Sequence, residues 1–185
     1  MVDKKSPDEL LEEVEVHQVE QESLNRVFRT FLQTSDNRNA DKFGHEEVSK
    51  ILKHLGVPQS KPDVELIIWE VDEDLDGAIS KAEFETMYKR VVSDKTGLEP
   101  RKLFNLVQFM MFDKTNRGRI TVEDTLQLLF VRYGRDHLDN EIRALFGEEE
   151  KTGDGQEKEI SFGEFLEQTN KKAMARRKKG KGKRK

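Results

Sequence analysis

The sequence predicts an all-α protein of two lobes, each a pair of helix–loop–helix units, with an N-terminal helical extension and a disordered basic tail. Three observations predict this. Apolar residues recur at three- and four-residue spacing along most of the chain, the period of a helix face. One acidic loop, Asp72 to Glu83, carries oxygen-bearing side chains at alternating places between two such faces. Three further segments share its pattern of an apolar residue followed four places later by an acid: Phe43/Glu47, Ile120/Asp124 and Ile160/Glu164.

Residues 1–19 are the extension. Ser6-Pro7-Asp8-Glu9 reads as a cap with proline at the first helical position. Leu10, Leu11 and Val14 form one apolar patch, and Leu24, Val27, Phe28 and Phe31 a cleaner stripe towards Thr34, as one helix or two. Residues 20–92 form the first pair of units. Val48, Ile51, Leu52 and Leu55 mark its second helix, which Gly56 and Pro58 end. Ser60-Lys61-Pro62-Asp63 caps the third, whose face is Val64, Ile67, Ile68 and Val71. Trp69, one turn before the acidic loop, is expected in the core. Phe84, Met87, Tyr88 and Val91 mark the fourth helix.

Residues 93–100, polar with a glycine, are the linker candidate. Residues 101–170 form the second pair. Its helices are marked in turn by Leu103, Val107 and Met110; by Leu126, Leu129, Phe130 and Tyr133; by Ile142, Leu145 and Phe146; and by Phe162, Phe165 and Leu166. Residues 171–185 are the basic tail, expected to be disordered at least from Lys178.

In the loop DEDLDGAISKAE, Asp72, Asp74, Asp76, Ser80 and Glu83 stand first, third, fifth, ninth and twelfth. That spacing lets their oxygens converge, which suits calcium, a hard cation taking roughly 6–8 oxygens at about 2.3–2.6 Å. Gly77 permits the sharp turn, since glycine accepts positive φ. The backbone carbonyl of Ala78 supplies the seventh-place ligand, and Ser80 contributes directly or through a water. Glu83 offers two oxygens, which favours calcium over octahedral magnesium. Ile79 has no ligand role and is expected to pair its backbone with a second loop.

With these places filled, the chain resembles the EF-hand superfamily, specifically the four-hand calmodulin, centrin and myosin-light-chain group, over roughly residues 20 to 170. The resemblance implies paired hands, with bridges Phe43–Ile79 and Ile120–Ile160. In the first hand, Asp36 to Glu47, Arg38 is third, Ala40 fifth and Asp41 replaces the glycine, so no calcium is expected. The third, Asp113 to Asp124, keeps Asp113, Thr115, Gly118 and Thr121. Arg117 stands fifth, however, and Asp124 is a carbon shorter than glutamate, so binding should be weak or absent. The fourth ends in Ile160 and Glu164, but GEEEKTGDGQEKE fits no twelve-residue frame and reads as a lengthened, metal-free loop. Glu47, Asp124 and Glu164 lie three residues after Gly44, Thr121 and Ser161, the spacing of a helix capping box, and capping is their expected role.

Composition narrows the class. The chain has 185 residues and no cysteine, which excludes disulfides and zinc–thiolate sites and fits a reducing compartment. No run of about 18 apolar residues is present, so no transmembrane helix is expected. The N-terminus carries no apolar signal region, and no lipidation motif stands at either end. The expected location is cytoplasmic, with the cytoskeleton, a cilium or flagellum, and the nucleus left open. His17, His45, His54 and His137 lie far apart, and no phosphate-cradling glycine loop is present, so no enzyme is expected. The net charge of −4 hides an asymmetry: residues 171–185 hold ten Lys or Arg and no acid, leaving an acidic body.

The expected function is that of a calcium-binding adaptor or sensor with one working site, which binds an amphipathic helix of a target protein. The alternative is a structural cytoskeletal or axonemal subunit. There calcium is a permanent staple, and Lys171–Lys185 docks on a microtubule or another polyanion. The tail has no interleaved aromatic, which argues against sequence-specific nucleic-acid binding.

Overall fold

The computed structural model describes the backbone of residues 7–147 and 157–182, and the side chains of 18–147 and 157–174. Helix α1 (Pro7–Thr34) is continuous, so the extension and the first hand's entering helix are one element. The cap expected at Ser6 lies outside the described residues. β1 (Phe43–Gly44) and α2 (His45–His54) complete the first hand; α3 (Lys61–Trp69), β2 (Ala78–Ile79) and α4 (Lys81–Ser93) form the second. Ser60 caps α3 as expected, its hydroxyl accepting from the Asp63 amide at 3.4 Å.

β1 and β2 pair antiparallel with Phe43 opposite Ile79, the register the sequence implied. Gly44 stands opposite Ala78, and a Cβ there would come within 3.2 Å of the Gly77 carbonyl oxygen. Beneath the bridge, Phe43 stacks on Phe31 at 4.2 Å between ring centroids. Phe28 and Phe84 close on the same ring at 5.7 and 5.8 Å. Each such ring contributes roughly 1.5–3 kcal/mol by leaving water, so this cluster anchors the two loops side by side.

The second half repeats the plan with α5 (Lys102–Phe112), β3 (Arg119–Thr121), α6 (Val122–Tyr133), α7 (Arg135–Phe146), β4 (Glu159–Ser161) and α8 (Phe162–Gly182). Ile120 pairs with Ile160, again as expected. Helix α5 buries Leu103, Phe104, Leu106, Val107, Phe109, Met110, Met111 and Phe112, which cover its whole circumference. A helix apolar all round belongs in the middle of a core. Accordingly α5 packs against α1, α3, α4, α6 and α8, and residues of both halves form one contiguous apolar core.

Polar contacts join the halves as well. Arg26 of α1 donates to the carbonyls of Met110 and Met111, both at 3.0 Å. His54 at the end of α2 lies 3.2 Å from the Asn116 carbonyl in the third loop. Between α4 and α5 the chain turns around Asp94, whose carboxylate accepts from the amides of Thr96, Gly97 and Glu99 and from the Thr96 hydroxyl.

Three sequence expectations need correction. Trp69 is 65% exposed, because Val64, Ile67, Ile68 and Val71 take the inner face of α3 and leave Leu66 and Trp69 outside. Leu126 and Phe130 are exposed too; the inner face of α6 is Thr125, Leu128 and Leu129, a choice the run of apolar neighbours hid. The tail is helical to Gly182, past Lys178, since Ala, Met, Arg and Lys between Lys171 and Lys179 are good helix formers. Among the described residues no helix is long and apolar enough to cross a membrane.

Candidate metal centre

The second loop gathers Asp72, Asp74 and Asp76, which offer carboxylate oxygens all within 4.8 Å of one another. Their other contacts shape the loop. Asp72 is buried and accepts from the amides of Asp76 at 3.2 Å and Gly77 at 2.8 Å. Asp74 Oδ1 accepts from the Asp76 amide at 3.2 Å, and Asp76 Oδ1 from the Ala78 amide at 2.9 Å. Gly77 turns the chain with φ of +84°, and Leu75 takes φ of +59°. The Oδ2 atoms of Asp74 and Asp76 meet a cation already, the ammonium of Lys42 from the first loop, at 3.1 Å from Asp74 and closer to Asp76. Hydrogen bonding to Lys42, chiefly, holds the Asp76 carboxyl below its usual range. An all-oxygen, anionic cluster that already draws in one cation fits a hard metal ion.

Ser80 and Glu83 stand beside this cluster but turn towards each other at the start of α4. Glu83 Oε2 accepts from the Ser80 amide at 2.8 Å and its hydroxyl at 2.6 Å, while Ser80 Oγ accepts from the Glu83 amide. This is a capping box, a role of Glu83 that the serine–glutamate spacing itself carried. Glu83 Oε1 reaches back to the amides of Glu73 and Asp74 at 2.9 and 3.4 Å. Burial pushes the Glu83 carboxyl up, but these hydrogen bonds outweigh it and hold the group below its usual value. Ala78 lies in β2 opposite Gly44. The structure thus brings the three aspartates together, while the Glu83 carboxylate is engaged by Ser80 and by the amides of Glu73 and Asp74.

Residues 21–89 match the family model of the EF-hand domain pair. These residues belong to the EF-hand superfamily. The chain is 28% identical over 139 residues to a calmodulin-like protein of Oryza sativa subsp. japonica, which spans 75% of this chain and 78% of that protein. It is 26% identical over 145 residues to calmodulin-like protein 2 of Arabidopsis thaliana, covering 77% and 87%. A mitochondrial electrogenic aspartate/glutamate antiporter of Mus musculus is 29% identical over 150 residues, but the match covers 20% of that protein against 78% of this chain.

Against the EF-hand pattern, the third hand keeps the fold of the second and differs in what fills it. Asp113 accepts from the amides of Arg117 and Gly118 at 2.9 and 2.7 Å, as Asp72 does from Asp76 and Gly77. Asn116 and Gly118 repeat the positive φ of Leu75 and Gly77. The fifth-place side chain is a guanidinium, however. Arg117 Nε donates to Thr115 Oγ1 at 3.0 Å, and its two terminal nitrogens to Glu159 at 3.2 Å and Asp124 at 3.1 Å. Arg117 therefore bonds the third- and twelfth-place oxygens of its own loop.

In the first hand, no residue between Asp36 and Lys42 takes positive φ, so its course differs from the other two. The irregular part of the fourth EF-hand loop, residues 148–156, lies outside the described residues. Lys158, sixth in the frame counted from Glu164, donates to the Phe146 carbonyl at the end of α7 at 2.6 Å. The expected capping roles hold. Asp124 and Glu164 accept from the amides and hydroxyls of Thr121 and Ser161, which return the bond. Glu47 accepts from the Gly44 amide at 2.9 Å, the half-box that a glycine allows.

Proposed function

We propose that the chain is a calcium-responsive adaptor whose one working site is Asp72, Asp74, Asp76, Ala78, Ser80 and Glu83, and which holds an amphipathic helix of a target protein. The observation that carries this is the convergence of Asp72, Asp74 and Asp76, set against the guanidinium that fills the third hand. Relatives named as calmodulin-like and as calcium-binding proteins support it. Calcium, when bound, supplies a divalent charge that neutralises the aspartates. Exposed Leu75 lies in the loop, exposed Trp69 precedes it and Leu66 lies one turn before Trp69, so apolar surface for a partner helix adjoins the site. Titration calorimetry of the metal-free protein tests the reading: one calcium per chain, lost or weakened at least tenfold in Glu83→Gln, is expected. No uptake, or unchanged uptake in Glu83→Gln, sinks it. Tighter capture of a basic amphipathic model peptide with calcium than with chelator tests the adaptor half.

A second reading, a structural subunit stapled by its ion, is favoured by the core that both lobes share. Here the basic segment Lys171–Lys185 docks on a microtubule or another polyanion. Calcium uptake without any gain in binding of an apolar dye would favour this reading over the adaptor. Sedimentation with microtubules, lost on deleting residues 171–185, tests the docking.

A further inference from the structure

The first EF-hand loop has lost its own ligands, yet it retains a cation aimed at its neighbour. Lys42 is the seventh residue of that loop and directly precedes Phe43, whose bridge to Ile79 fixes the register of the two loops. The bridge therefore delivers the Lys42 side chain across to the second loop. There its ammonium holds Oδ2 of Asp74 and of Asp76. These oxygens accept from no backbone amide of the loop, whereas Oδ1 of each does.

We propose that Lys42 is a tethered cation that competes with calcium for Asp74 and Asp76, and so sets the affinity of the site. The inference rests on the calcium reading of this loop. An ammonium on a four-carbon stem is a single mobile charge that can withdraw, and the Lys42 side chain is 31% exposed, so withdrawal leaves no buried charge behind. A divalent ion facing three carboxylates gains more than the ammonium does from two. Lys42 is thus a reversible occupant, whereas Arg117 in the third hand, with three nitrogens engaged, is held by a planar fork. The metal-free second loop also keeps its aspartates together because Lys42 offsets their repulsion.

Calorimetric titration of the full chain with calcium chloride tests this in wild type, Lys42→Met and Lys81→Met. Lys81 stands tenth in the loop itself but pairs with Glu85, at 3.9 Å, and so controls for removing a nearby charge. Lys42→Met should tighten binding roughly 2–5-fold, the scale of an exposed ion pair, and Lys81→Met by less than half of that. The calcium-induced rise in Tm should be larger in Lys42→Met than in wild type. Should Lys42→Met fold poorly by circular dichroism, Lys42→Gln replaces it. Uptake by Lys42→Met alone would make Lys42 a complete block, which supports the competition but overturns calcium binding by the wild-type chain. Equal or weaker binding in Lys42→Met, or equal tightening in Lys81→Met, overturns the competition and leaves the calcium reading standing. No uptake by any of the three overturns both.

Discussion

Glu20 of α1 accepts two hydrogen bonds from Arg132 of α6, from Nε at 3.0 Å and from a terminal nitrogen at 2.9 Å. Tyr88 of α4 joins them: its hydroxyl donates to Glu20 at 3.2 Å and accepts from Arg132, whose guanidinium lies 5.7 Å from the ring centroid. Side-chain exposure is 12% for Arg132 and 17% for Glu20. The N-terminal helix therefore ties the helix that leaves the candidate calcium loop to the opposite lobe.

Removing one member of this trio strands the others in a nearly dry site. Arg132→Leu should destabilise the protein by about 3 kcal/mol, the scale of a broken buried ion pair. Urea unfolding followed by circular dichroism reads it as a lower midpoint. Glu20→Gln on the Arg132→Leu background should cost less than it does alone, since its partner is already gone. Additive losses would show that the two residues act independently.

The third hand should be convertible. Its Asp113 already organises the loop as Asp72 does, and Asn116 and Gly118 already have the required backbone. What stands in the way is the Arg117 guanidinium and a short twelfth residue. Arg117→Asp combined with Asp124→Glu should raise calcium stoichiometry from one to two per chain in calorimetry, because ligand charge count governs uptake. Arg117→Ala alone should not add a site, and should instead weaken the contact with Glu159. Stoichiometry unchanged in the double variant would mean that Arg117 does not decide whether this hand takes calcium.

The two bridges, Phe43–Ile79 and Ile120–Ile160, were legible in the sequence because the eighth residue of each hand is apolar among polar neighbours. The inner faces of α3 and α4 were legible for the same reason. Trp69 was not: local spacing counts apolar residues, and only tertiary packing decides which side of α3 faces α5. Phe104, Leu106, Phe109, Met111 and Phe112 were passed over because periodicity finds one face, while α5 has none that is exposed. The aspartates could be read from spacing, but the Lys42 contact could not, since it depends on the register between two loops. Arg117 was read as a fifth-place residue that weakens the third loop, but not as a group that bonds that loop's own oxygens.

Acid should unfold the protein through carboxylates remote from the loop. Asp94 is held well below its usual range, first by the Thr96 hydroxyl and then by the amides of Thr96, Gly97 and Glu99. Glu164 is lowered chiefly by the Ser161 amide and hydroxyl. For Glu47, burial pushes upward, but the Gly44 amide and the Ser35 hydroxyl outweigh it, and the net shift is downward. Each folded value lies below the unfolded one, about 3.9 for Asp and 4.3 for Glu. Their stabilisation is therefore present above about pH 5 and is lost as pH falls through the folded values. Urea midpoints measured with chelator should be flat from pH 7 to about 5 and then fall. Asp94→Asn should lower the midpoint at neutral pH and make the acid fall shallower; a steeper fall would contradict the sign.

Trp69 gives a direct optical test of the site. It ends α3, and the same helix end holds Asp72, whose amide donates to the Ile68 carbonyl at 3.0 Å. The indole is 65% exposed and lines a cleft with Asp72, Leu75 and Gly77. Any rearrangement of Asp72 is thus passed through one turn of helix to a solvated fluorophore, and no other tryptophan is present to mask it. Metal-free protein should emit as a solvent-exposed indole, and calcium should change its intensity with a midpoint equal to the calorimetric one. Excess chelator should reverse the change. Glu83→Gln should shift that midpoint to at least tenfold higher calcium, while Arg117→Ala leaves it unchanged. Magnesium at the same concentration should give a weaker response, because the bidentate carboxylate of Glu83 suits the larger ion. A response equal for both ions, or one that survives Glu83→Gln unshifted, would place the fluorescence change outside the second EF-hand loop.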